Sequence, residues 1–329
     1  MDAKRGRVGK LPPPVLERLV LGLRGFERGE VMIDPSVGED AAVIGWPAGR
    51  FLLAASDPIV GAKAGAGRLL VHVNANDIAA KGGEPAYFLA TLIFPSCGAE
   101  GDIALLMKEM DEACREIGVA IVGGHTEFGI GYEKPVIVGT MLGQGRRVLR
   151  AESIRPRDVI VVTKHIGLEG MTILASDRPD LLKGILSEEE MTEVSRWKEG
   201  LSVLPESRLL RDVARFMHDP TEGGFRGALQ EVLRTARRAA KIDDGAVPVH
   251  PITAKVASFL GFDPLRLISS GALLAVLPPE CADEAMASLR TQGIEASIVG
   301  CVTDEAYVEE EPAQEELWRL LELPGGERA

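Results

Sequence analysis

The sequence predicts an α+β protein, built of α/β layers and folded as two domains. Its 329 residues correspond to about two domains at roughly 150 residues each. Strand-like apolar runs alternate with helix-like segments in both halves, so each half is expected to form a layered core of its own. A change in composition near residue 152 separates the halves and gives predicted domains 1–152 and 153–329.

In the first half, strands and helices are predicted to alternate. Apolar residues spaced by three and four over 102–117 predict an amphipathic helix. The runs AAVIGW and RFLLAAS, separated by a Pro-Ala-Gly triplet, predict a hairpin. The other predicted elements are helices over Val15–Leu23 and Leu69–Lys81 and strands over Tyr87–Phe94, Val119–Val122 and Pro135–Met141.

The segment GRRVLRAESIRPR joins the halves and carries five arginines with little periodicity. We expect it to be a solvated connector, in preference to a binding patch. The second half is predicted to contain a strand over Val159–Thr163, a helix from Leu168, a charged helical region over Ser187–Met217, a helix over Phe225–Ala239 and a closing β-α-β unit over 272–302.

The composition of the sequence predicts where the protein is located in the cell and which classes of partner it does not bind. The 37 Lys and Arg residues against 49 Asp and Glu give a net charge of −12, which disfavours sequence-independent binding to nucleic acid. No apolar run approaches the ~20 residues that cross a bilayer, and the N-terminus lacks the apolar core of a signal peptide. The four cysteines, at 97, 114, 281 and 301, form no Cys-x-x-Cys pair and are expected to be buried in a reducing environment. We therefore predict a cytoplasmic protein without membrane or nucleic-acid partners.

The common nucleotide and metal motifs do not occur in the sequence. Gly9-Lys10 is followed by leucine, so there is no P-loop, and Gly65-x-Gly67 lacks the third glycine of a dinucleotide fingerprint. The five histidines form no zinc pattern, and there is no Gly-x-Ser-x-Gly elbow. What remains is a set of acids placed beside strand ends, helices and glycine turns.

Among these acids, Asp77, next to Asn76 in the apolar helix VHVNANDIAA, carries the most information. An ionised carboxylate in apolar surroundings costs several kcal/mol unless something pairs with it. Mg²⁺ would provide such a partner, because it binds one or two carboxylates together with substrate phosphates. The alternative is that Asp77 faces solvent or caps a neighbouring segment.

Two glycine pairs predict a phosphate ligand. Gly123-Gly124 is predicted to form a turn after a strand, and Gly223-Gly224 is predicted to open a helix. Glycines allow the backbone to approach a ligand closely, and the N–H groups at a helix start attract anions. His125, beside the first pair, is a candidate general base, a phosphate donor or an ordinary loop histidine.

Seven segments resemble, in order, the aminoimidazole ribonucleotide (AIR) synthase superfamily: VGEDAAVI, SDPIVGA, HVNANDIAAKGGEP, IVGGHTEF, GLEGMTILA, MHDPTEGGFRGAL and SSGALLAV. Within it, the chain most resembles the hydrogenase maturation protein HypE and its archaeal-type relatives. Selenophosphate synthases, thiamine-monophosphate kinases and formylglycinamidine ribonucleotide synthetases are more distant. The resemblance implies an N-terminal mixed-sheet domain that dimerises, a C-terminal α+β domain, and an ATP·Mg²⁺ site in the cleft between them.

The resemblance also implies roles for individual residues. It implies Mg²⁺ ligands at Asp40, Asp57, Asp77, Asp219 and Glu222, with catalytic roles for His125 and Asp219. It implies ATP and substrate contacts at Asn76, Gly123, Gly124, Thr126, Thr221, Gly223 and Gly224. Two positions depart from the maturation proteins: position 125 is often Asp there, and position 222 is usually Arg, whereas thiamine-phosphate kinases have a second acid at a comparable spacing.

The function implied is the use of ATP and Mg²⁺ to phosphorylate, and so activate, an oxygen of an unidentified small or protein-bound substrate. The alternatives are a small-molecule kinase of the thiamine-monophosphate kinase type and a non-catalytic nucleotide-binding scaffold. The expected partners are a second copy of the chain and a maturation protein. The maturation proteins finish in a tail cysteine that carries the reacting group, whereas this sequence ends LPGGERA, so we expect it not to carry that group on its own tail.

Overall fold

The computed structural model describes residues 9–10, 13–33, 43–60, 65–309, 311 and 313–324. The chain divides into two compact units. The first unit comprises residues 1–78 and 83–146, and the second comprises residues 79–82 and 147–329, each within the described ranges. The predicted domain boundary near residue 152 stays a prediction.

The first unit contains a mixed sheet. Its strands are β1 (Gly9–Lys10), β2 (Val31–Ile33), β3 (Val43–Ile44), β4 (Phe51–Val60), β5 (Glu84–Pro95), β6 (Ala120–Gly129) and β7 (Val136–Gly145). Its helices are α1 (Pro13–Leu16), which continues as a π-helix over Glu17–Leu21, α2 (Ala66–Ala80) and α3 (Glu100–Ile117). Five of the strands form one sheet in the order β1-β6-β5-β7-β4, in which β5 and β6 are parallel and the other neighbours are antiparallel. This agrees with the mixed sheet that the resemblance implied.

Helices α2 and α3 pack on one face of this sheet. The core between them consists of apolar residues at helical spacing in α2 and α3 and of alternate residues in the strands, including Leu70, Ile78, Phe88, Met110 and Met141. The predicted helices over 69–81 and 102–117 are confirmed, because burying these apolar stripes against the sheet stabilises both helices.

Two predictions for the first unit are wrong. The runs AAVIGW and RFLLAAS do not form a hairpin with each other, because β3 pairs with β2 and β4 pairs with β7. Gly123-Gly124 is not a turn after a short strand. Strand β6 continues through both glycines to Gly129 and stays paired with β5. Ladder hydrogen bonds on neighbouring strands outweigh the weak strand preference of glycine here.

The second unit contains the remaining elements. Its strands are β8 (Val159–Thr163), β9 (Phe216–His218), β10 (Ala240–Ile242), β11 (Leu274–Leu277) and β12 (Ala296–Val302). Its helices are α4 (Leu168–Asp177), α5 (Pro179–Leu182), α6 (Glu188–Arg196), α7 (Leu204–Leu210), α8 (Gly224–Ala236), α9 (Pro251–Leu260), α10 (Pro279–Thr291) and α11 (Glu316–Leu321).

These five strands form an antiparallel sheet in the order β10-β12-β8-β11-β9. The closing β-α-β unit is present as β11, α10 and β12, with β8 inserted between its two strands. Apolar residues of α8 pack on the sheet, among them Phe225, Val232 and Leu274. The α+β, two-domain fold class predicted from the sequence is confirmed.

The predicted helical region over 187–217 and the cysteine prediction need correction. The region contains two helices and a 3₁₀ turn, and it ends in strand β9, which the charge pattern of the sequence did not indicate. Of the cysteines, Cys114 is buried, but Cys281 and Cys301 are half-buried and Cys97 is exposed. No helix in the described part of the chain is long and apolar enough to cross a membrane.

Candidate functional site

A row of small residues crosses the helix-covered face of the first sheet. Asp57 in β4, Gly139 in β7, Ala90 in β5 and Gly124 in β6 are register partners of one another. A Cβ atom on Gly139 would lie 2.5 Å from the Asn74 side-chain nitrogen, and one on Gly124 would overlap the Ala90 carbonyl oxygen. The missing side chain at Gly139 therefore allows α2 to lie directly on the sheet beside Asp57, and the one at Gly124 allows β6 to pair closely with β5.

Asn74 connects α2 to the strand that carries Asp57. The Asn74 side chain is fully buried; its Oδ1 accepts the backbone N–H of Asp57 at 2.9 Å, and its Nδ2 donates to the Leu70 carbonyl at 2.9 Å. This contact fixes the backbone of Asp57 against the helix. Asn74 is a site residue that the sequence interpretation missed.

The predicted ligand Asp77 lies on the same side of α2 as Asn74. Residues three apart in a helix share a face, so Asp77 follows Asn74 by one turn and is half-buried. Asn76, two positions from Asn74, is almost completely buried. The structure thus brings Asp57 and the 74–77 turn together on two rigid elements. Asp40, the fifth predicted metal ligand, lies outside the described residues.

His125 lies on the other face of the sheet. Its register partner in β5 is Thr91, whereas Gly124 pairs with Ala90 and Thr126 with Leu92. Because strand side chains alternate between faces, His125 points away from the face that carries Asp57. Its Nε2 lies 3.2 Å from a carboxylate oxygen of Glu127. Thr126 is buried on the helix-covered side.

In the second unit, the predicted site residues form the turn between β9 and α8. Asp219 is buried, Thr221 is half-buried and Glu222 is exposed. The Gly224 N–H donates to the Thr221 carbonyl at 3.0 Å. Gly223 and Gly224 have φ of 76° and 57°, a left-handed conformation that glycine adopts without strain. A Cβ on Gly224 would lie 2.5 Å from the Leu267 carbonyl oxygen, so the loop before β11 packs directly on this turn.

A carboxylate of the chain itself binds at this helix start. Glu315 Oε2 accepts the Gly223 N–H at 2.6 Å. Its Oε1 accepts the N–H groups of Ile268 at 3.0 Å and Leu317 at 2.8 Å. Burial raises the pKa of Glu315, and these hydrogen bonds oppose the shift. Glu315 therefore joins the turn, the loop before β11 and α11.

Glu169, near the start of α4, is a second buried acid in this region. It is 5% exposed, and its Oε2 has no hydrogen-bond partner among the described residues. Burial raises the pKa of Glu169 to about 7; the nearby carboxylates of Asp219 and Glu315 add to the shift, and Ser270 opposes it. The Ser269 hydroxyl, which accepts the Gly167 N–H at 2.7 Å, ties the start of α4 to the same loop.

The donor types at these positions suit Mg²⁺. Carboxylate, amide and hydroxyl oxygens are the ligands that it prefers, and it commonly takes only one or two from the protein. The buried, unpartnered Glu169 oxygen, electrostatically coupled to Asp219, fits a cation. Within the described residues, no three His, Cys, Asp or Glu side chains form a metal-binding group. The metal assignment of Asp57, Asp77, Asp219 and Glu222 stays a prediction.

The fold and these motifs agree with the comparisons with known proteins. The family described as AIR synthase related protein matches twice, by its N-terminal domain over residues 38–144 and by its C-terminal domain over residues 155–311. The chain belongs to the AIR synthase related family. It is an enzyme of that family, and the resemblance drawn from the seven sequence segments is confirmed.

Individual relatives of this AIR synthase related protein extend the comparison. Carbamoyl dehydratase HypE of Rhizobium leguminosarum bv. viciae is 30% identical over 283 residues, covering 82% of this chain and 79% of that protein. A crystal structure of hydrogenase maturation protein HypE in complex with ATP superposes with a TM-score of 0.70 at 24% identity, covering 88% of this chain and 85% of that one. Thiamine-monophosphate kinase from Stenotrophomonas maltophilia K279a superposes with a TM-score of 0.70 at 19% identity, covering 87% and 92%.

Two of the three site residues missed in this AIR synthase related chain, Glu169 and Asn74, had a usable signal in the sequence. Glu169 lies in GLEGMTILA, where a lone carboxylate is surrounded by apolar residues. That is the argument that singled out Asp77. Asn74 lies one turn before Asp77 and would have followed from the helical period. Glu315 gave no such signal, because it lies 92 residues from Gly223 in a strongly acidic segment.

Proposed function

We propose that this protein is an ATP- and Mg²⁺-dependent enzyme of the HypE type, which phosphorylates and so activates an oxygen of a small or protein-bound substrate. The acceptor oxygen would form a bond to the γ-phosphorus while the bond to the ADP oxygen breaks, and ADP leaves. Such transfers depend on positioning and on stabilising phosphate charge rather than on a protein nucleophile. This fits a site of acids and glycines.

The observation that carries the proposal is the placement of Asp57 beside the Asn74–Asp77 turn. Both acids lie on regular elements that a buried asparagine and a row of small residues hold together. Positions this rigid suit a metal-phosphate site, since catalytic geometry tolerates little displacement. The second unit has buried acids of its own, Asp219 and Glu169, whose carboxylates are of the type that Mg²⁺ binds. The Mg²⁺ would neutralise phosphate charge and orient the γ-phosphate.

Nucleotide binding tests the proposal. Asp57→Asn and Asp77→Asn should each weaken Mg²⁺–ATP binding at least about tenfold in calorimetry, because each removes a ligand charge. Asp283→Asn, at an exposed helix position, is the matched control and should leave affinity unchanged. Equal affinity with and without Mg²⁺, or an unaffected Asp77→Asn variant, would contradict the metal assignment.

A small-molecule kinase is the second candidate. It is favoured by Glu222, an acid at the position where the maturation proteins usually have Arg and where the thiamine-phosphate kinases have a second acid at a comparable spacing. A screen of phosphate acceptors with ATP and Mg²⁺, monitored by ADP release, separates the two. A phosphorylated product that accumulates supports the kinase, and ADP release with a dehydrated or ligated product supports the HypE-type reaction. Tight ATP binding without turnover on any acceptor would instead support the non-catalytic scaffold.

We also propose a cytoplasmic homodimer that acts with a maturation partner protein. Two-fold dimers are the commonest soluble oligomers, and the resemblance to HypE implies one here. Light scattering measures the mass directly. A value at the monomer mass of 35.2 kDa at micromolar protein would contradict the dimer.

A further inference from the structure

An arginine-lined cavity lies at the far end of α8 from the Asp219 turn. The cavity has a volume of about 720 Å³, and its walls include Arg155, Arg234, Arg237, Arg238 and Glu152. Helix α8 has 13 residues, so its two ends are roughly 20 Å apart. The cavity is therefore separate from the Asp219 turn at the other end of the helix.

The cavity is positively charged in an acidic protein. Four arginines face one glutamate around it, whereas the whole chain has a net charge of −12. The arginines come from two distant segments: Arg155 belongs to the connector before β8, and the other three belong to the end of α8 and the residues that follow it. The sequence favoured a solvated connector for the first segment. The fold leaves Arg155 exposed, as expected for a solvated connector, and places it beside three further arginines.

Little within the protein neutralises these guanidinium groups. Arg155 donates to the backbone carbonyls of Glu152 and Ile154. Arg234 pairs with Glu309 at 3.2 Å, with both side chains about two-thirds exposed, and such surface pairs contribute little. Among the described residues, the side chains of Arg237 and Arg238 have no ion-pair partner.

The backbone at Arg237 adds to this argument. Arg237 ends α8 in the left-handed conformation, with φ of 54°, where glycine or asparagine is usual. A cation near a helix C-terminus is favourable, and Arg234 already provides one in the last turn of α8. Arg237 and Arg238 are two further cations at the same helix end, where one already interacts favourably with the helix dipole. Their like charges repel each other unless an anion lies between them.

We propose that this cavity binds a small molecule that carries two or more phosphate groups. Guanidinium groups match phosphate oxygens in paired, charge-assisted hydrogen bonds. The volume lies within the ~300–1,000 Å³ range of small-molecule sites and exceeds the space that one phosphate fills. Ile154 and Ala236 contribute apolar surface for the remainder of the ligand. The proposal does not depend on the function of the Asp57 and Asp219 regions.

Inorganic tripolyphosphate is the probe, used in calorimetry at about 0.15 M salt, where the Debye length is about 8 Å, and with EDTA so that a Mg²⁺-dependent site does not contribute. The wild-type protein should bind it. The double variant Arg237→Asn, Arg238→Gln should bind at least about tenfold more weakly, because it removes two charge-assisted contacts. Asparagine is chosen at position 237 because it tolerates the left-handed backbone.

The matched control is Arg196→Gln, Arg290→Gln. It removes the same charge from two exposed arginines near the C-terminal ends of other helices. Neither arginine lines the cavity, so the control should change affinity by less than about twofold, since exposed charges without direct contact are largely screened at this salt. Arg155→Gln, in the other segment, should also weaken binding and provides a second test should the double variant not fold. Three outcomes would each overturn the proposal. The wild type and the cavity variants could bind tripolyphosphate equally, or the control variant could lose as much affinity as the cavity variants. The wild type could also bind an oligoglutamate peptide and fail to bind tripolyphosphate.

Discussion

Lys164 provides the sharpest test of how the second unit is held together. Its ammonium group donates to the carbonyls of Gly200, Ser202 and Gly271 at 2.7–2.8 Å. It also lies 2.8 Å from a carboxylate oxygen of Glu206, which is fully buried. Burial lowers the pKa of Lys164, and Glu206 opposes that shift. One side chain therefore connects three loops and neutralises a buried acid.

The substitution Lys164→Met keeps the length and volume of the side chain but removes the charge. It leaves Glu206 as an unpaired buried carboxylate, and removal of one partner from a buried ion pair costs about 3–5 kcal/mol. For a unit of this size, each kcal/mol corresponds to roughly 2–4 °C in the melting temperature. We therefore expect the second unit to melt about 10 °C lower in the variant.

Thermal unfolding of the whole chain measures this change, and two variants serve as controls. Lys255→Met removes an exposed pair with Glu190 and should cost less than about 1 kcal/mol. Adding Glu206→Gln to Lys164→Met should recover part of the loss, because it removes the unpaired charge. A Lys164→Met protein that unfolds within about 1 kcal/mol of wild type would refute the reasoning.

Two further predictions concern single residues. Burial raises the pKa of Glu169 from its ordinary value of 4.5 to about 7. Between these two pH values the Glu169 carboxyl therefore stays protonated in the folded protein but is ionised in the unfolded protein. The free energy of unfolding should therefore fall by about 3 kcal/mol as pH rises from 4.5 to 7. The Glu169→Gln variant should lose this pH dependence in metal-free urea titrations. An unchanged pH dependence in the variant would show that another group is responsible. Gly124→Ala should destabilise by at least about 2 kcal/mol, because its Cβ overlaps the Ala90 carbonyl and φ is 144°. Gly101→Ala, in open space on α3, should be neutral or stabilising, and equal effects of the two substitutions would contradict the packing argument.

The sequence predicted the elements whose sequence pattern is local. Helix α3 has apolar residues at helical spacing, α2 is a largely apolar run that ends at a glycine pair, and the Gly223-Gly224 pair correctly marked the start of α8. The sequence failed where distant pairing decides the structure. Strand β6 runs through Gly123 and Gly124 because β5 supplies hydrogen bonds along its whole length. The wrongly predicted hairpin failed for the same reason, since β4 finds a ten-residue partner in β7.

The candidate site shows the same division between local and distant information. Asp77 was found by a local argument, a charge inside an apolar helix. The neighbourhood of Asp57 depends on two residues that are distant from it in sequence. Gly139 meets Asp57 through the register of β4 and β7, and Asn74 meets it through the packing of α2 on the sheet. Similarly, side chains alternate between the two faces of the sheet along β6, which places His125 on the opposite face from Asp57. The sequence alone does not show which residues of β6 take which face.

The glycine turn at the start of α8 shows that a carboxylate of the chain itself can bind at a helix start. Helix N-termini attract anions, and this attraction predicted a phosphate at Gly223 and Gly224. In the structure the same N–H attraction is satisfied by Glu315, at 2.6 Å from the Gly223 nitrogen. A phosphate reaches that N–H only if Glu315 leaves, which would also release the N–H groups of Ile268 and Leu317. Buried Glu169, with an unpartnered oxygen and electrostatic coupling to Asp219, requires no such displacement and is the stronger starting point for locating a cation in the second unit.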